Sequence, residues 1–185
     1  MRVLVITPPA PVVSLAEAKL HLRVDAGDED TLIEGMVAAA TAHIDGPDGW
    51  LGRAIGAQTL ELRTDVFRDA MPLPYPPVLE IVSVKHLDGA GEELTLLAAE
   101  YELRGTLIGS AFGRRWPSVG YHSEAVRIQY RAGYETVPPA IRAAILLMTD
   151  DLYRNRGEAI TGTISARVAM STTVERLLEP FRVWR

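Results

Sequence analysis

Cysteine is absent from this 185-residue chain. That excludes disulfides, thiolate zinc sites and a cysteine nucleophile, and it agrees with a reducing compartment. Long apolar runs are absent too: nothing approaches the roughly 20 residues of a membrane span. Met1 to Pro9 is too short, and too soon interrupted by proline, to read as a signal peptide. These absences lead to the expectation of a soluble intracellular protein. Positive charge is in deficit, with 19 Lys and Arg against 24 Asp and Glu, net −5. Tight, sequence-independent DNA binding needs a basic surface and is disfavoured, whereas a wall past which DNA slides is not. Internal repeats and low-complexity tracts are also missing. What remains is ordinary globular composition, 48% apolar and 23% charged, in a chain long enough to bury about 70% of its unfolded surface.

The patterning reads helix, helix, strands, helix, helix. A proline-rich lead-in (Pro8, Pro9, Pro11) runs to Ser14, an N-cap with Glu17 three residues on, and predicts a helix over 15–22. Asp28, Glu29 and Asp30 open a second helix. Leu32, Met36, Ala39 and His43 form one stripe, and Ile33, Val37 and Ala40 widen it; the alanines allow close approach of another helix. Residues 46–49 end it. Leu60, Leu62, Thr64 and Val66 alternate with Glu61, Arg63 and Asp65, the period of a half-buried strand. The proline-rich 71–77 is an extended connector that cannot be a central strand. A strand over 81–87 precedes Asp88-Gly-Ala-Gly91, a hairpin signal. Return strands follow near 94–97 and 101–103, and Gly105, Gly109 and Gly113 read as turns. The clearest strand alternates Val126, Ile128 and Tyr130 with Arg127, Gln129 and Arg131. Pro138 and Pro139 suit the first turn of a helix reaching about Arg156, with Ile141, Ile145, Met148 and Leu152 in one stripe.

The fold class is therefore α+β: a helical body with two N-terminal helices and one long helix near 139–156, an inserted antiparallel β-region at about 58–131, and a C-terminal helix plus tail. The expected organisation is a single domain over 1–156, a flexible linker over 157–170, which has no helical period, and a C-terminal segment over 171–185.

No residue constellation carries recognisable chemistry. Clustered acids at 28–30 complement a helix N-terminus, and Asp150 and Asp151 lie mid-helix without a histidine at ligand spacing. His21, His43, His86 and His122 are scattered over different elements, so no metal site is expected. The GxSxG elbow, the phosphate-binding GxxxxGK[ST] loop and the dinucleotide GxGxxG are all missing. Arg114, Arg115 and Trp116 mix basic and aromatic character on a loop that can touch phosphate or simply anchor itself.

The C-terminal segment stands apart. Thr172 and Glu175 have capping-box spacing, and Pro180 should stop the short helix they open. Leu177, Leu178, Phe181, Val183 and Trp184 are then interleaved with Arg182 and Arg185. An apolar terminus either docks back on its own domain or binds a partner. Interleaved arginine, a hot-spot residue like tryptophan, and the unpatterned stretch before it favour the partner.

Several of these pieces, in order, resemble the head–tail connector (adaptor) proteins of long-tailed double-stranded DNA phages, prophages and gene transfer agents. They are Pro11-Val-Val-Ser-Leu-Ala-Glu-Ala-Lys-Leu-His-Leu-Arg-Val24, Asp28-Glu-Asp-Thr-Leu-Ile33, Gly52-Arg-Ala-Ile55 with Gln58-Thr59, and Leu73-Pro-Tyr-Pro-Pro-Val78. Val126-Arg-Ile-Gln-Tyr-Arg-Ala-Gly-Tyr134, Val137-Pro-Pro-Ala-Ile-Arg-Ala-Ala-Ile-Leu-Leu147 and Leu177-Leu-Glu-Pro-Phe-Arg-Val-Trp-Arg185 complete the set. Two pieces depart from the family: 159–171 lacks a proline-bearing lead-in, and Asp45-Gly-Pro-Asp-Gly49 stands where an aromatic-containing turn is expected.

The resemblance implies a structural, non-enzymatic virion protein without cofactors, located in the particle neck and assembled in the bacterial host cytoplasm. It implies a ring of about a dozen copies beneath the portal protein ring, added after DNA packaging. The ring would extend the channel through which double-stranded DNA passes without specific binding. It would also dock the downstream neck, stopper or tail protein, with no membrane involved. Leu177, Leu178, Phe181, Arg182, Val183 and Trp184 are the expected portal contacts. Met36, Ala39, Ala40, Ile141, Ile145, Met148 and Leu152 are the expected subunit interface. The competing readings are a hydrolase using the dispersed carboxylates and histidines, and a DNA-binding regulator.

Overall fold

The structure, a computed structural model, describes residues 1–156 and 170–184. The expected linker over 157–170 therefore lies, except for Met170, outside the described residues. The chain divides into two compact units, one built from residues 1–10 and 53–135, the other from 11–52 and 136–185. Among the described residues, the β-strands fall in the first and the α-helices in the second. The α+β reading holds.

In the β unit, strict alternation decides the fold. Strand β8 (Val126–Ala132) buries Val126, Ile128, Tyr130 and Ala132 and turns Arg127, Gln129 and Arg131 the other way, as the period of two requires. It pairs antiparallel with β2 (Gln58–Thr64), setting Leu60 opposite Tyr130 and Leu62 opposite Ile128. On its other side it pairs with β4 (Val78–Leu87). Asp88 Oδ1 accepts the amides of Ala90 and Glu92, closing the predicted hairpin into β5 (Glu93–Thr95).

The outermost strand on the far side is β1 (Arg2–Thr7), giving the order β1-β2-β8-β4-β5. No strand is expected there from sequence. The run Arg2–Thr7 has no period of two, and its strand conformation comes from pairing with β2. A second sheet holds β3 (Ala70–Pro72), β6 (Tyr101–Arg104) and β7 (Leu107–Ser110) in the order β3-β7-β6. Pro72 lies on an edge strand, where its missing N–H costs nothing. Gly109, expected in a turn, lies within β7 opposite Ala70, whereas Gly105 and Gly113 do turn, with φ of +64° and +74°.

Leu60, Leu62, Val84, Ile128 and Tyr130 of the larger sheet share one core with Met71 and Ile108 of the smaller. The Tyr130 hydroxyl donates to Pro74 O at 2.8 Å, so its burial leaves no unpaired polar atom. The polar face of the large sheet is laced by ion pairs. Glu61 takes Arg63 Nε at 2.6 Å and Gln129 Nε2 at 2.8 Å, and Glu93 takes both Lys85 and Arg127 at 2.8 Å.

In the helical unit, Ser14 Oγ accepts the Glu17 amide at 3.2 Å and opens α1 (Leu15–Leu22), the predicted N-cap. Helix α2 spans Asp30–Ile44 and α3 Pro139–Arg154, the latter starting on the predicted prolines. Helix α2 buries Ile33, Val37, Ala40 and Ile44. The neighbouring stripe of Leu32, Ala39 and His43 is exposed, with Met36 half-buried. Helix α3 packs on α2 and buries Ile141, Ala144, Ile145 and Thr149. Thr149 Oγ1 donates back to Ile145 O at 2.8 Å, which lets a hydroxyl sit in the core.

A candidate docking segment at the C terminus

Helix α4 (Thr172–Leu178) begins one residue earlier than the capping-box reading placed it. Ser171 is the N-cap, its Oγ accepting the Val174 amide at 3.3 Å. Val174 and Leu178, four residues apart, lie on one face and are buried where α4 packs on α3. Pro180 falls in a 3-10 turn over Glu179–Phe181 that ends the helix. The backbone then extends, and the Val183 N–H donates to Leu51 O at 2.8 Å. The Arg182 guanidinium lies between two indoles, 4.1 Å from the Trp50 ring centre and 4.0 Å from that of Trp184.

The six expected portal contacts are thus not equivalent. Leu178 is fully buried in the helical unit, so this expected contact is core: its apolar side chain lies on the α4 face that packs against α3. Leu177, Phe181, Arg182 and Val183 are half-buried, and Trp184 is 72% exposed. The segment is folded back on its own unit, with one large aromatic presented to solvent. Trp50, the second wall around Arg182, was not singled out in the sequence. It is also the aromatic of the turn after α2, which lies just beyond Gly49.

The expected subunit-interface set divides similarly. Ile141, Ile145 and Ala40 are buried in the unit's own core. Ala39, Ala40, Met148 and Leu152 line a groove of about 740 Å³, with His43, Met170 and Val174 among its other walls. One periodic stripe therefore serves two purposes, its N-terminal half inside and its C-terminal half at the surface.

Several of the clustered acidic side chains are held by neighbouring donors. Arg156 grips Glu29 with both terminal nitrogens, at 2.6 and 3.1 Å, and stacks 4.0 Å over the Tyr153 ring. The Tyr153 hydroxyl also donates to Glu29. The Arg156 hydrogen bond, then that of Tyr153, holds the Glu29 carboxyl below the ordinary glutamate range, and the Tyr153 hydroxyl is raised in turn. Lys19 reaches Asp30 at 2.5 Å, Arg154 reaches Asp150 at 2.9 Å, and Asn155 reaches Asp151 at 2.9 Å. The first joins α1 to α2, and the other two are i, i+4 contacts at the C-terminal end of α3. His86 is buried edge-on to Phe67 in the β unit. Among the described residues no group of three or more His, Asp or Glu is placed to hold a metal ion, and no helix is long and apolar enough to cross a membrane.

No family model matches the chain, and no curated protein matches it significantly. Solved structures do. A chain from the neck of an empty gene transfer agent particle, computed with C6 symmetry, is 25% identical, with a TM-score of 0.79 over 100% of this chain and 97% of that one. A chain of the virion of a native gene transfer agent particle is 24% identical at TM-score 0.78, with the same coverage. One from the neck of a native particle computed with C12 symmetry is 21% identical at TM-score 0.70, again with the same coverage. The fold is that of a gene transfer agent neck protein, and it agrees with the connector resemblance carried by the sequence.

Proposed function

We propose that this chain is a structural, non-enzymatic component of a particle neck, a head–tail connector. One observation carries the reading: the full-length likeness to a chain of a gene transfer agent neck, over 97% of that chain's length. The C6 and C12 symmetries of the two neck structures support a ring of identical copies. A ring needs heterologous contacts, one face of each copy meeting a different face of the next. The groove bordered by Ala39, Met148 and Leu152 offers one such face.

In this reading the ring sits beneath the portal, extends the DNA channel after packaging and receives the next neck or tail component. Trp184, with Arg182 and Phe181, carries the portal contact; Val174 and Leu178 hold the helix that positions them. A ring of identical tails holds firmly even when each contributes modestly, because the later contacts are intramolecular. An acidic chain whose sheet cations are already paired suits a conduit that must release DNA.

The test is a cryo-electron microscopy map of particles from cells that make this chain. Density for it at the neck, in symmetric copies, is expected. Particles whose necks lack it, or a chain found only free in the lysate, would overturn the proposal.

A further inference from the structure

The β unit carries a second surface that the C-terminal segment does not explain. Residues 111–124 form a long connection pinned at several points. The Ala111 N–H donates to Glu100 O at 2.9 Å, and the Gly120 N–H to Leu87 O at 2.9 Å. Trp116 stacks on Phe67, rings 4.4 Å apart and 4° from parallel, and donates Nε1–H to Arg68 O at 2.8 Å. Gly120 is required there, since a Cβ would lie 2.1 Å from Asp88 O.

The pins leave two tips in water. Phe112 is 98% exposed, and Tyr121 is fully exposed. Arg68, Arg114 and Arg115 are exposed as well, and among the described residues none of the three has a carboxylate partner. A cleft of about 480 Å³ opens beside Phe67, Trp116 and the two loop arginines. Elsewhere on the sheet the arginines are paired, Arg63, Arg127 and Arg131 each with a glutamate. Arg114 and Arg115 thus bring two cations without a carboxylate partner among the described residues to one cleft, whose lining also includes Asp69, in a chain of net charge −5.

We propose that this loop surface docks an acidic protein segment of the adjoining neck component, one that brings carboxylates to Arg114 and Arg115 and an apolar side chain to Phe112 and the cleft. The inference rests on the neck reading above and names the second partner's chemistry. Charge complementarity selects an anionic partner. The exposed aromatics select protein over phosphate backbone: aromatic and arginine side chains on a pre-ordered loop are hot-spot material, and they lose little entropy on binding.

The experiment uses particles assembled in cells carrying Arg114→Glu/Arg115→Glu, and separately Phe112→Ala, all exposed positions. Heads that retain this chain but carry tails at least about tenfold less often are expected. Tailed particles at the normal frequency would overturn the proposal. So would variant heads that lack this chain, since the loop would then serve the portal side. Absence of the wild-type chain from heads would overturn the neck reading and this surface with it. Purified wild type and the double variant are also titrated against a fluorescein-labelled duplex by anisotropy. Equal, weak binding is expected; affinity lost in the double variant would make the partner DNA. Light scattering checks self-association, and a self-association abolished by the double variant would make the partner a second copy.

Discussion

Replacing Leu178 by alanine separates the part of the C-terminal segment that folds from the part proposed to dock. Leu178 is fully buried, on the α4 face that packs against α3. The truncation removes three carbon atoms from that face, about 2.4 kcal/mol at roughly 0.8 kcal/mol per buried methylene. A cavity left behind brings the total to about 3 kcal/mol, within the ordinary range for such changes. With a urea dependence of about 2 kcal/mol/M, the midpoint should fall by about 1.5 M. Urea titration followed by circular dichroism at 222 nm reports it, because every described α-helix lies in the same unit. A shift below about 0.3 M would refute the reasoning, since α4 would then contribute nothing to the unit's core. If the C-terminal segment served a partner alone, residues 171–185 could be removed with the body intact. Burial of Val174 and Leu178 predicts instead that this deletion destabilises the helical unit.

Glu29→Gln should lower the melting temperature at pH 7, because it weakens the grip of Arg156 and Tyr153 across α2 and α3. The folded-state pKa of Glu29 is depressed, so its contribution is present above the unfolded value and lost as pH falls through the folded one. The gap between variant and wild type should therefore close below the ordinary glutamate range, and a gap independent of pH would contradict the pairing. Gly133→Ala should cost about 2–4 kcal/mol, since φ is +114° and a Cβ would lie 2.2 Å from Gly56 O; thermal denaturation checks it, and a neutral effect would refute the strain argument. Trp184→Ala should leave the urea midpoint within about 0.5 M of wild type, as it removes one exposed indole from Arg182.

Local signals were legible where chemistry and structure lie close in sequence. Ser14 and Glu17, the Asp88 hairpin, and Pro138 with Pro139 each announce an element within a few residues. The alternation across Val126, Ile128 and Tyr130 fixed one face of the central strand, because a period of two admits only one assignment. Helix α2 was harder. Two adjacent apolar stripes differ by one residue, and tertiary packing buries Ile33 and Val37 while Leu32 and Ala39 stay exposed. Strand β1 and the Trp50–Arg182 stack escaped for a different reason. Both are made by partners more than fifty residues away, Leu60 and Leu62 for β1 and Arg182 for Trp50, and no local pattern encodes them. At the tail, composition marked an apolar segment that had to pack against something, but the side that faces inward was set by α3.

Sedimentation of the purified chain with purified portal rings, wild type beside Trp184→Ala, tests the proposed portal docking. The wild type, a 20.2 kDa chain when free, should move with the ring in a symmetric number of copies, and Trp184→Ala should stay folded but largely free. A wild type that remains at the free mass beside the portal, or a Trp184→Ala variant that binds as well as wild type, would contradict it.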